Sequence, residues 1–232
     1  MADEAFPNSE KLLQEAFASA DPVPPLLHLI KAHPTYLAVR DLVIEYTNAI
    51  EGDPHRGPTL ASALVKLAKS PDAPTFQSDT LWSFIDNELA ERYFKLGGYN
   101  PDDVNKYGPE NPHLLDSLIS GLSLKHGWSS TKDQYALLRG GLDAPSSSDG
   151  SEVLVVGACI QLLLNGSSFV GEKAGSYKMT PEAIADKLKK QKQAGSVKDK
   201  NAAKVLEMAI ANAEAGLNPE NDREDVWALL FP

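Results

Sequence analysis

Asn111-Pro112-His113-Leu114-Leu115-Asp116-Ser117-Leu118-Ile119-Ser120-Gly121-Leu122 decides the fold class of this chain. Asn111 supplies a side-chain oxygen for the orphan N–H groups of a first helical turn, and Pro112 stands at the first helical position, where its missing donor is harmless. Leu114, Leu118, Ile119 and Leu122 then recur at helical spacing. The same punctuation returns at Asn100-Pro101-Asp102-Asp103, at the Ser130-Thr131-Lys132-Asp133 box and at Thr180-Pro181-Glu182. The chain reads as a succession of short, separately capped helices.

Working outward, Leu12, Leu13, Ala16 and Phe17 mark a helix from Ser9, which Asp21-Pro22-Val23-Pro24-Pro25 stops, leaving Leu26 to Ile30 as one turn or two. Tyr36, Val39, Val43, Tyr46 and Ile50 keep one face of a longer helix apolar up to Gly52-Asp53-Pro54. Thr59 to Ser70 forms the next, followed by a Pro-containing loop to Ser78. Ser78 or Asp79 caps the best-patterned helix, with Trp82, Ile85, Leu89, Tyr93 and Leu96 as its stripe and Glu88–Arg92 and Glu91–Lys95 pairs on other faces. Gly97-Gly98 closes it. Tyr135, Leu138 and Leu142 mark the helix after the Ser130 box. Val153–Leu164, Glu182–Gln193, Asn201–Ala215 and a final turn around Val226–Leu230 complete the series. Val153-Leu154-Val155-Val156 is the one strand-like segment, and context makes it helix, since a lone strand would lack a partner. The expected class is all-α, an irregular multi-helix bundle or short helical array. We expect one all-helical domain over residues 1–232, with a candidate subdivision at the 144–151 linker.

The 232 residues suffice to bury a sizeable core without staples. A formal charge of −10 opposes wholesale binding to nucleic acid or anionic membrane. A single cysteine, Cys159, excludes an intramolecular disulfide, and its apolar setting describes an unreactive core thiol. The amino terminus lacks the order of a signal peptide, and Val153 to Leu164 is too short to span a bilayer. We expect a cytoplasmic or nuclear protein.

Catalytic patterns are incomplete. Gly166-Ser167-Ser168-Phe169-Val170-Gly171-Glu172-Lys173 has the glycine spacing of a phosphate loop, but Glu172 stands where lysine is needed, so no ATP site is expected. Ser129-Ser130-Thr131-Lys132 contains Ser-x-x-Lys without its companion motifs and reads better as a helix cap. His28, His33, His55, His113 and His126 include no i,i+4 pair, which leaves helical metal sites unsupported; most read as loop or helix-end residues. Asp102-Asp103 and the run Glu220–Asp225 read as acidic helix starts. Eight lysines between Lys178 and Lys204, against Glu182, Asp186 and Asp199, read as a solvated face. Lys187, Lys189, Lys190 and Lys192 spread around a helix and cannot all face one groove. No cofactor and no metal are expected, and the reading leans away from an enzyme.

Asp79-Thr80-Leu81-Trp82 opening an amphipathic helix with Glu91 beyond it, Leu114 to His126 before a Trp128 loop, Tyr135–Leu142 and the small-residue helix Val153–Gly166 resemble a fungal family of helical proteins catalogued as domain of unknown function 3632. The resemblance covers half to two-thirds of the chain. It implies an all-helical fungal protein, sometimes found beside secondary-metabolite enzymes, and transfers no catalytic residue. The leading functional expectation is a non-catalytic intracellular interaction or regulatory protein with a protein partner. The alternative is a small-molecule-binding accessory protein or enzyme of fungal secondary metabolism. Its interhelical pocket for an apolar small molecule would contain Trp82, Tyr93 and Trp128.

Overall fold

A computed structural model describes residues 8–76, 79–96, 106–145 and 151–232. The chain forms two compact units, Met1–Leu96 and Gly97–Pro232. The division therefore falls at residue 96 and not at the 144–151 linker, whose flanking helices pack on each other inside the second unit. The Asn100–Asp103 cap and the Gly97-Gly98 stop lie outside the described residues.

The first unit contains α1 (Ser9–Ala18), α2 (Val23–Ala32), α3 (Tyr36–Gly52), a 3-10 turn at Pro54–Arg56, α4 (Gly57–Ala68) and α5 (Leu81–Leu96). Helix α2 is longer than its proline-rich start suggests. Pro24 and Pro25 fall in its first turn, where absent N–H groups cost nothing, and Asp21 accepts the Val23 N–H at 3.2 Å. Thr35 caps α3 through the Ala38 N–H. Helix α1 lies on α3, which also meets α5, and the Phe17 and Tyr46 rings approach to 6.4 Å. Before α5, β1 (Thr75–Phe76) and β2 (Asp79–Thr80) pair antiparallel, Thr75 opposite Thr80 and Phe76 opposite Asp79. The minor strand component is thus this hairpin and not Val153–Val156.

Helix α5 buries Ile85 and Leu89 of the expected stripe, with Leu81 rather than Trp82 completing the buried i, i+4, i+8 face. Trp82 is half-buried at its edge, with the Lys69 ammonium 4.8 Å from the ring centroid. Its truncation removes a rim contact, not a core anchor. Glu88, expected on an outer face, is buried. Its partner Arg92, the Glu91–Lys95 pair, Tyr93 and Leu96 have side chains outside the described residues.

The second unit is built on α8 (Ser151–Asn165), against which α6 (Pro112–His126), α7 (Thr131–Leu142), α10 (Lys200–Glu214) and α11 (Val226–Leu230) pack. Helix α9 (Pro181–Gln193) lies on α10. The caps are those expected: Asn111 accepts from His113 and Leu114, Thr180 accepts from Ala183, and Ser130 and Asp133 form a reciprocal capping box. Helix α8 is buried nearly all round, as an apolar helix must be at the centre of a unit. Its helical run continues through a 3-10 turn at Gly166–Phe169, so Ser151–Phe169 is long and apolar enough to cross a membrane. Length therefore does not exclude spanning. Most of the stretch is instead buried against the unit's other helices.

Close approach to α8 depends on glycine. A Cβ at Gly157 would stand 2.6 Å from Ser117 Oγ and 2.8 Å from His113 Nε2, and one at Gly141 would stand 2.2 Å from the Leu154 carbonyl oxygen. His113 is buried in the first turn of α6, and burial pushes its imidazole down to about 4.

Candidate functional site

Helix α10 ends in a tight reversal. The Leu217 N–H donates to the Asn212 carbonyl at 2.9 Å and the Gly216 N–H to the Ala213 carbonyl at 3.0 Å, with Gly216 at φ 90°. Leu217 also takes a left-handed φ of 53°, a costly conformation for a branched side chain, and is fully buried. A Cβ at Gly166 would stand 2.6 Å from Leu217 Cδ2, so the absence of that atom makes room for the leucine. The chain then turns through Pro219–Asn221, and the Arg223 N–H donates to the Leu163 carbonyl at 2.7 Å. This strap fixes residues 219–223 beside the end of α8.

Between strap and helices opens a cleft of about 540 Å³, whose walls include Leu163, Met208, Asn212, Glu220, Asp222 and Arg223. Asn212 is only 6% exposed, yet neither its amide nitrogen nor its amide oxygen has a hydrogen-bond partner. An unsatisfied buried amide costs about 1–3 kcal/mol. Asp222 Oδ1 is likewise buried without a partner. Burial pushes the Asp222 carboxyl up to about 6; Lys125 pulls it down, and Glu224, itself 2.8 Å from Lys125, pushes it up. Arg223 is held by Asp225 through hydrogen bonds of 2.9 and 2.7 Å. Residues 220–223 of the run Glu220–Asp225 thus build a cleft wall. The run does not cap α11, since Asp225 makes no side-chain cap bond. With Arg223 committed, the free charge facing the cleft is acidic, beside an amide that offers one donor and one acceptor.

His113 and Asp222 give acid unfolding an internal test. His113 has its folded value depressed from 6.5 to about 4, so its contribution is complete above 6.5 and is lost as pH falls toward 4. Asp222 has its folded value raised from 3.8 to about 6, so its contribution is present below 3.8 and is lost as pH rises through 6. The two oppose each other across the same window. Asp222→Asn is therefore expected to be more stable than the native chain at pH 7 and more acid-sensitive, which urea midpoints at about pH 7 and about pH 4.5 will measure.

The residues singled out by sequence are not brought together on this wall. Trp82 belongs to the first unit, beside Lys69, and the Tyr93 side chain lies outside the described residues. Trp128 belongs to the second unit and is fully buried, 5.9 Å from the His126 ring. The glycine loop spends its amides internally: Val170 and Gly171 N–H donate to the Ser167 carbonyl, and Ala174 N–H to Gly171. Ser130, not Ser129, caps α7. Burial pushes the Cys159 thiol up to about 12. Lys187 pairs with Asp143, Lys189 with Glu214 at 2.7 Å and Lys192 with Glu207 at 2.8 Å. Asp102 and Asp103 are outside the described residues. Among the described residues no three His, Cys, Asp or Glu side chains converge to hold a metal ion.

Sequence reasoning missed Asn212 because a helical asparagine reads as surface. The signal was available in register, since Asn212 follows buried Val205 by seven residues and Ala209 by three, which places it on the apolar stripe of α10. No protein-family description, curated protein or solved structure matches this chain.

Proposed function

We propose that the chain is a non-catalytic helical interaction protein whose second unit receives a basic peptide segment of a partner in the α8–α10 cleft. The observation that carries this reading is Asn212. Its buried amide offers the donor and acceptor that a peptide unit complements, and it goes unsatisfied in the chain alone. Glu220 and Asp222 beside it favour a cationic segment. The cleft is open rather than enclosed, which suits a chain segment better than an enclosed small molecule. Its volume also falls within the roughly 300–1,000 Å³ of ligand pockets, which favours a small-molecule accessory role as second reading. Membership in the fungal domain of unknown function 3632 family, cytoplasmic residence and a place beside secondary metabolism are part of the proposal. The family and its metabolic setting rest on the motifs of residues 79–166, and the cytoplasmic reading on the single cysteine and the composition of the amino terminus.

Asn212→Leu separates binding from folding. Removing the unsatisfied amide is expected to raise stability by about 1 kcal/mol while weakening capture of basic peptides at least about tenfold, read by melting and by fluorescence anisotropy with capped lysine- and arginine-containing peptides. Affinity in the native chain should rise with pH through about 6 as Asp222 ionises. A variant that loses stability and keeps its affinity would assign Asn212 to the fold.

A further inference from the structure

The first unit holds a second cleft, of about 290 Å³, between α1, α3 and the Pro54–Arg56 turn. Its walls include Phe17, Ala18, Glu45, Asn48, Ala49 and Arg56. Glu45 is only 6% exposed. Its Oε1 accepts the Asn48 amide at 3.2 Å, while Oε2 is buried with no partner at all. A carboxylate taken out of water without a cation is among the costlier arrangements a fold can hold.

The cation beside it is already committed. Arg56 donates from Nη2 to the Phe17 carbonyl at 2.7 Å and to the Ser19 carbonyl at 3.4 Å, closing the carboxy-terminal end of α1. It makes no ion pair with Glu45. Asp53, on the same rim, adds a second negative charge. The cleft therefore combines an apolar lining of Phe17, Ala18 and Ala49, a buried carboxylate oxygen without a hydrogen-bond partner, and a net negative field. A short alkyl stem fits the first feature, and N–H donors on a positive group fit the other two.

We infer that this cleft is a binding site for a short alkylammonium or alkylguanidinium group, which seats its stem on Phe17, Ala18 and Ala49 and donates to Glu45 Oε2. The site is independent of the peptide cleft in the second unit and stands if that reading fails. Glu45 is its charge-recognising residue and Asn48 orients the carboxylate.

The full chain is titrated by isothermal calorimetry with butylammonium, butylguanidinium and uncharged butanol, and then with a capped lysine peptide. The cations are expected to bind and butanol to leave no heat of binding. The peptide arm, run in the Asn212→Leu chain so that the second-unit cleft takes up none of it, distinguishes a free amine from a partner's side chain as the source: peptide binding that weakens on adding Glu45→Gln assigns the group to a protein, and exclusion of the peptide assigns a free small molecule. Glu45→Gln, which keeps shape and removes charge, should bind the cations at least about tenfold more weakly. It should melt at or above the native temperature, because a buried unpaired charge has been removed. Four results would overturn the inference: butanol binding as well as the cations, no cation binding by about 10 mM, undiminished binding in Glu45→Gln, or a lower melting temperature or failure to fold in that variant. The first two do not depend on the variant.

Discussion

Trp128→Ala is expected to cost about 3–5 kcal/mol, because one of the two fully buried tryptophans of the second unit is lost together with the packing around it. Transfer energy and the penalty for an uncollapsed cavity add. The backbone N–H of Trp128 donates to the Ser123 carbonyl at 2.8 Å, which ties the residue to the end of α6 just past Gly127 at φ 81°. That bond is made by the backbone and is kept by alanine, so the loss reports the buried ring itself. Chemical denaturation followed by circular dichroism should show an earlier transition. Trp82→Ala, by contrast, should shift the midpoint little, since that ring is half-buried beneath Lys69.

Gly141→Ala and Gly140→Ala should move stability in opposite directions. A Cβ at Gly141 would stand 2.2 Å from the Leu154 carbonyl oxygen and 2.6 Å from Ala158 Cβ, so α7 and α8 must separate. Backbone on α8 cannot yield as the tip of a side chain does. The cost is about 3 kcal/mol, at the upper end of overpacking, even though alanine is the better helix former. A Cβ at Gly140 meets nothing within 4 Å, so there alanine's propensity acts alone and should stabilise by about 0.5–1 kcal/mol. Two adjacent substitutions of the same chemistry thus report whether α7 packs where the fold has it.

The fold was legible where helix ends carry local chemistry. Asn111, Ser130 and Thr180 each bond to N–H groups two or three residues on, and such short-range contacts are written in the sequence. The start of α2 was harder, because Pro24 and Pro25 end a preceding helix and begin a new one by the same absence of a donor. The 75–80 hairpin escaped notice because two-residue strands carry no periodicity. On α5, Leu81 stands four residues before Ile85 and shares its buried face, while Trp82, three before Ile85, falls at the edge of that face, a difference too small for spacing alone to resolve. Charge at the clefts was less legible still. Glu45 and Asn212 look like solvated helix positions until distant segments, Phe17 and Arg56 in one case and the 219–223 strap in the other, close over them.

The central claim, capture of a basic peptide at Asn212, is tested most directly by the methyl resonance of Met208. Met208 lines the cleft, and Met179, whose N–H donates to the Phe169 carbonyl, serves as control within the same unit. Methyl-labelled full-length protein is titrated with short capped basic peptides and with their acidic counterparts. The account predicts that basic peptides shift Met208 and leave Met179 in place, that acidic peptides shift neither, and that Asn212→Leu abolishes the response while melting higher. A Met208 signal indifferent to every peptide, or one that moves equally in the Asn212→Leu variant, would contradict it.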